Sequence, residues 1–191
     1  MQFDILGPLQ VLDAGRPLVL GRPKQRAVLA ILLLDAGRVV SLDRLVEEVW
    51  GPHSPPQALA SVQAYVSHLR RLLEPQRAPG VRATVIVNQA PGYRIVVDSD
   101  DLDATRFETL AQKGYDLLHQ GEAPRAAETL EAALALWRGP VLADFADASF
   151  VQAERARLED LRLTAVEARL SADLTIGRHA RIVTELEQLT A

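Results

Sequence analysis

The sequence predicts a mainly helical chain with small β elements, and three observations carry that prediction. Apolar residues step by three and four through most of the chain, short apolar runs divided by turn residues open it, and one hairpin pattern falls near its middle. The opening runs are Phe3–Leu6, Leu9–Leu12 and Pro17–Leu20, separated by Gly7-Pro8 and by Asp13-Ala14-Gly15-Arg16, so a small antiparallel sheet is expected there.

Pro23-Lys24-Gln25-Arg26 followed by Ala27–Leu34 reads as a helix that is apolar on nearly every side, hence central, ending at Gly37. Ser41 offers an N-cap to a second helix whose face is Leu42, Leu45, Val46, Val49 and Trp50, closed by Gly51-Pro52. After the connector His53-Ser54-Pro55-Pro56, a third helix runs to Glu74. Its expected buried stripe is Leu59, Val62, Val66, Leu69 and Leu73, and its opposite face carries Gln63, Ser67, Arg70 and Arg71. Two strands, Thr84–Val87 and Tyr93–Val97, follow around a turn at Asn88–Gly92. Three short strands, three helices and a hairpin in residues 1–97 are the order of a winged helix-turn-helix, with the third helix presented to the DNA major groove.

Asp98-Ser99-Asp100-Asp101 is a polar break, and the domain boundary is expected there: residues 1–97 as a DNA-binding unit, 98–191 as an all-helical one. Helices are expected at 104–119, 123–137, about Ser149–Leu174 and about 179–190. Gly121–Leu134 aligns weakly with Gly177–Thr190, which points to tetratricopeptide-like packing of helix pairs.

Charge divides the same way. The net −4 conceals 11 Lys/Arg against 7 Asp/Glu in residues 1–97, and 10 against 18 in residues 98–191. A basic half joined to an acidic half suits a nucleic-acid reader joined to a protein-binding partner domain. Other classes find no support. The 191 residues contain no cysteine, no secretory leader pattern and no long apolar span, so a cytoplasmic protein is expected. His53, His68, His119 and His179 do not pair at metal-ligand spacing, and no phosphate-binding glycine loop or nucleophile constellation occurs. Neither an enzyme nor a cofactor or metal site is expected.

Within the basic half, Gln63 and Ser67 have the side chains to reach base edges, and Arg70 and Arg71 can hold phosphate or guanine. Lys24 and Arg26 are weaker candidates for backbone phosphates, and Arg94 on the hairpin is placed to enter a minor groove. Tyr93 fits the core better than a phosphate contact.

Several segments then resemble one family. Arg22–Ala30 (RPKQRAVLA), Val40–Gly51 (VSLDRLVEEVWG), Leu59–Leu73 (LASVQAYVSHLRRLL) and Pro91–Arg94 (PGYR) look like the Streptomyces antibiotic regulatory proteins. Ala133–Pro140 (ALALWRGP) with Leu142-Ala143-Asp144 is similar to that family's bacterial transcriptional activation domain. The resemblance covers almost the whole chain. It implies an OmpR-type winged helix joined to a tetratricopeptide-like domain, binding directly repeated double-stranded DNA sites as a side-by-side homodimer. It also implies recruitment of RNA polymerase, including its sigma subunit, and control of a biosynthetic cluster such as one for an antibiotic. By the same resemblance His53, Ser54, Pro55, Pro56 and Gln57 match the loop associated with polymerase contact. His68 stands where the family often has Arg, which adds it to the DNA-facing set. The helical half is shorter than the family's usual version, so it is expected to be truncated at its C-terminus, and one alternative reading is the N-terminal part of a larger multidomain regulator. The alternative from another class is a protein-interaction scaffold, distinguishable by the salt dependence of DNA binding.

Overall fold

The computed structural model describes residues 1–179. Two three-stranded antiparallel sheets flank a helical trio, and three further helices follow. The first sheet holds β1 (Gln2–Asp4), β2 (Gln10–Asp13) and β3 (Arg16–Pro17) in that order. It is shorter than the apolar runs suggested, because residues 5–9 turn away to bond elsewhere.

Helix α1 (Pro23–Leu34) starts on proline, whose missing N–H costs nothing at a first turn. Every residue from Val28 to Leu33 is buried, so α1 is the central helix, touching α2 (Leu42–Trp50), α3 (Ala58–Leu73) and α6 (Ser149–Thr175). Ser41 caps α2 as expected, its side chain accepting from the Arg44 N–H at 3.1 Å.

The second sheet has the order β4–β6–β5: β5 (Ile86–Gln89) and β6 (Gly92–Ile95) form the hairpin, and β4 (Val39–Ser41) pairs with β6 between α1 and α2. The sequence gives no sign of β4, a three-residue strand defined by partners some fifty positions away. Gly92 is required here, since a Cβ would overlap the carbonyl oxygen of Val40. The turn is the two residues Ala90-Pro91, tighter than the five-residue turn expected.

In the helical half, α4 (Asp103–His119) and α5 (Ala123–Leu134) pack as an antiparallel pair against α6. The approach is close at Gly114, where a Cβ would run into Leu130. Helix α5 ends three residues earlier than expected. Along α6, Leu158, Ala165 and Ala172 are buried, while Leu161 and Ala168 are half-buried. The helix expected at about 179–190, and with it most of the Gly177–Thr190 repeat, lies outside the described residues.

The polar segment Asp98–Asp101 becomes a single 3-10 turn, Ser99–Asp101, and one apolar core continues across it from Phe3 to Ala165. The backbone of residues 5–9 makes the seam. Ile5 and Leu6 donate to the two carboxylate oxygens of Asp103 at 2.8 and 2.9 Å, Leu9 donates to Asp144 at 2.7 Å, and Arg138 donates its backbone N–H to Leu6. Burial raises the Asp103 pKa to about 6; the two N–H bonds pull against that rise, Asp4 adds to it and Arg138 opposes it.

Candidate nucleic-acid interface

The inner face of α3 is Ala58, Val62, Val66, Leu69 and Leu73, all buried. Leu59, expected in that stripe, is 47% exposed. A helix turns about 100° per residue, so positions 58 and 59 straddle the middle of the buried stripe at about equal angles and spacing does not choose between them. In the fold Ala58 takes the core place at the first turn.

The stripe aims the rest of the helix outward. Ala60, Ala64, Ser67 and Arg71 are exposed along the middle of the outer face, with Gln63 exposed on the flank toward the hairpin and His68 on the flank toward α1. Ala60 and Ala64 were not among the expected site residues. Their small side chains keep the middle of that face low, and a helical-wheel reading of the exposed face would have found them.

Arg70 points along the hairpin flank, and the structure gives it a specific job. Its Nε donates to the Ile86 carbonyl at 2.7 Å, one Nη donates to Asn88 Oδ1 at 2.8 Å, and the guanidinium lies 5.4 Å from the Tyr93 ring centroid. Burial lowers the Arg70 pKa from its very high ordinary value, with Tyr93 partly offsetting this. Arg70 thus ties the hairpin to α3. Four residues on, Glu74 Oε1 accepts from the N–H and hydroxyl of Thr84, both at 2.7 Å. Burial pushes the Glu74 pKa up, but these bonds, one from Val85 and the charge of Arg77 outweigh it and lower the pKa. Helix and wing are therefore fixed relative to each other.

Between the end of α3 and β5 lies a cleft of about 720 Å³ lined by Arg70, Arg77, Arg82, Val87 and Asn88. Arg94 is not at the hairpin tip. It lies mid-strand on β6, on the face opposite buried Tyr93 and Ile95, opposed by Val39 and Val87 on the flanking strands. Tyr93 is buried, as expected. Arg71, Arg82 and Arg94 have no hydrogen-bond or ion-pair partner among the described residues.

The two candidates on α1 differ. Lys24 is exposed, with its ammonium 4.6 Å from the Trp50 ring, which stacks in turn on Tyr65 of α3 at 6.2 Å. Arg26 is held by Asp144 at 2.7 Å and braces the winged helix against the helical half. The connector begins with a 3-10 turn at Gly51–His53; His53, Ser54, Pro56 and Gln57 are exposed and Pro55 is half-buried. The Pro55 carbonyl accepts from Ala58 N–H at 2.9 Å, which anchors the loop to the start of α3.

Comparison with known proteins agrees with this architecture. Residues 15–95 match the model of the transcriptional regulatory protein C-terminal domain, and residues 102–191 match that of the bacterial transcriptional activator domain. The regulatory protein DnrI of Streptomyces peucetius is 37% identical over the full length of this chain, which covers 71% of it. The chain belongs to the Streptomyces antibiotic regulatory protein family of transcriptional activators. The transcriptional regulatory protein EmbR of Mycobacterium tuberculosis is 38% identical over 100% of this chain and 48% of its own length, and the regulatory protein AfsR of Streptomyces coelicolor is 38% identical over 100% of this chain and 18% of its own. A solved structure, Mycobacterium tuberculosis EmbR in complex with a low-affinity phosphopeptide, superposes with a TM-score of 0.92 at 38% identity, covering 99% of this chain and 49% of that one.

The chain thus spans about half the length of the EmbR relatives. The family and these relatives are transcriptional regulators, not enzymes. Among the described residues, no helix is long and apolar enough to cross a membrane, and no group of three or more His, Asp or Glu side chains is placed to hold a metal ion.

Proposed function

We propose that this protein activates transcription by binding double-stranded promoter DNA, with α3 in the major groove and the β5–β6 hairpin beside it. The observation that carries the reading is the outer face of α3: small residues along its middle, polar Gln63 and Ser67 able to reach base edges, and an Arg71 without a protein partner. Arg82, Arg94 and Lys24 supply phosphate contacts around it, while Arg70 holds the hairpin in place and Arg26 holds the helical half. The unit works in the cytoplasm on the nucleoid.

Following the family, the sites are direct repeats occupied by two copies side by side, and the regulated genes form a secondary-metabolite cluster. The exposed loop His53–Gln57 faces RNA polymerase, including its sigma subunit, and residues 98–191 position the neighbouring copy or the polymerase. The division at residues 97/98 is a division of labour in this reading, with the seam keeping the two parts in fixed orientation.

Selection of duplexes from a random pool, followed by footprinting, tests the reading. Enrichment of a directly repeated site protected by two copies is expected. Retention of DNA with no enriched sequence would refute it and favour the interaction scaffold. For the loop, Pro55→Ala/Pro56→Ala should leave operator binding intact and lower transcription in a purified system. Unchanged transcription would remove the loop from the polymerase interface.

A further inference from the structure

The DNA-reading role leaves the buried side chain of Gln25 unexplained. Gln25 on α1 is only 4% exposed, and its amide is fixed at both ends. Nε2 donates to the Leu20 carbonyl at 2.8 Å, and Oε1 lies 2.7 Å from Nδ1 of His68 on α3. Gly21 leaves the room for this amide: a Cβ there would lie 2.8 Å from Gln25 Nε2.

The chemistry of the two contacts selects the tautomer of the neutral imidazole. A backbone carbonyl only accepts, so the amide nitrogen must face Leu20 and the amide oxygen must face His68. That oxygen also only accepts, so Nδ1 of His68 carries a proton. In the neutral ring the other nitrogen, Nε2, then holds the lone pair on the far side of an exposed side chain.

We propose that Gln25 is a specificity-positioning residue that locks His68 with Nε2 as an outward acceptor, so that α3 selects a base presenting an amino group at one step of the major groove. This rests on the reading of α3 as the DNA-contacting helix. In the major groove adenine and cytosine present amino groups, whereas guanine presents only acceptors and thymine an acceptor and a methyl. An acceptor on His68 therefore favours adenine or cytosine on the contacted strand. Gln25 touches no DNA and acts only through the ring.

Two measurements on the full chain test this. Long-range proton–nitrogen correlation spectra of the free protein should show His68 protonated on Nδ1, and Gln25→Met, similar in volume but without the amide, should lose that preference. Duplex selection should show one position where adenine or cytosine is enriched about tenfold, the discrimination one hydrogen bond sustains. Gln25→Met should flatten that position without changing the others. His68→Arg, an exposed substitution that offers only donors, should move it to guanine. A neutral His68 protonated on Nε2 in the wild type overturns the proposal while leaving DNA reading intact. So does a wild-type site on which His68→Arg changes no position. A wild type that enriches no sequence, with the ring spectrum as expected, instead defeats the DNA reading and the base contact with it.

Discussion

At the seam between the first sheet and the helical half, arginine side chains are fully engaged. Arg26 holds Asp144, and Arg138 reaches the Pro8 carbonyl at 3.1 Å and the Asp103 carboxylate at 3.8 Å. Arg71 on α3, Arg82 on the loop that follows it and Arg94 on the hairpin have no partner among the described residues. Both surfaces use the same residue type, and Arg26 at the seam comes from the same basic half of the chain as Arg71, Arg82 and Arg94. Net charge cannot tell them apart; the presence of an internal acceptor does. An arginine with a carboxylate already beside it is a strut, and one held out without a partner is available to a phosphate or a base.

The comparison is broken most severely at the seam. Asp103→Ala leaves the buried N–H groups of Ile5 and Leu6 without acceptors, at about 1–3 kcal/mol each. Urea denaturation should show that loss, while the folded protein keeps its operator affinity. A loss of less than about 0.5 kcal/mol, the range of an ordinary surface change, would mean the two N–H groups find other partners.

Arg71→Glu is the reverse case. Thermal stability should be unchanged, and duplex affinity should fall roughly 10- to 100-fold, with one phosphate fewer in the salt slope. Equal losses of stability and binding would make Arg71 another strut.

A pH series sharpens the seam itself. The Asp103 pKa is raised in the folded protein to about 6 from an ordinary 3.8, so folding favours the protonated acid. The stability this group contributes is complete below about pH 3.8 and is lost as pH rises through about 6. Wild type minus Asp103→Asn should show that falling component in melts across the window; a flat difference contradicts it.

The smallest effects come last. Arg26→Ala removes a half-exposed ion pair and should cost about 0.5–1 kcal/mol. Leu59→Ala should cost less than about 0.5 kcal/mol, against about 2–5 kcal/mol for buried Leu69→Ala. Denaturation of this leucine pair distinguishes the observed stripe from the one that spacing alone suggests.

What the sequence made legible follows from the range of each interaction. The helices of the trio, the Ser41 cap and the outward placement of Gln63, Ser67 and Arg71 are set within one or two helical turns, and periodicity exposes them. The Leu59 misplacement is a fault of one position at a helix start, where steps of three and four cannot be told apart. Strand β4, the Asp103 clamp on Ile5 and Leu6, and the Arg26–Asp144 pair join residues far apart in the chain, so no local pattern signals them. Arg70 and Arg94 show the same limit within the site. Their presence was readable, but the bonds of Arg70 to Ile86 and Asn88, and the mid-strand place of Arg94, exist only once the hairpin has folded onto α3. Gln25 has no local signal either, because its burial against Leu20 and His68 exists only once α1 and α3 have packed together.

The most direct test of the central claim, that the partnerless arginines around α3 form a DNA-binding surface, is duplex affinity by fluorescence anisotropy at about 50 and 200 mM salt, where six to ten phosphate contacts predict a loss of roughly 10³–10⁵. The account predicts that steep loss for the wild type on its selected site, and a shallower slope for Arg71→Glu. Weak binding that hardly changes with salt, or an Arg71→Glu slope equal to that of the wild type, would contradict it.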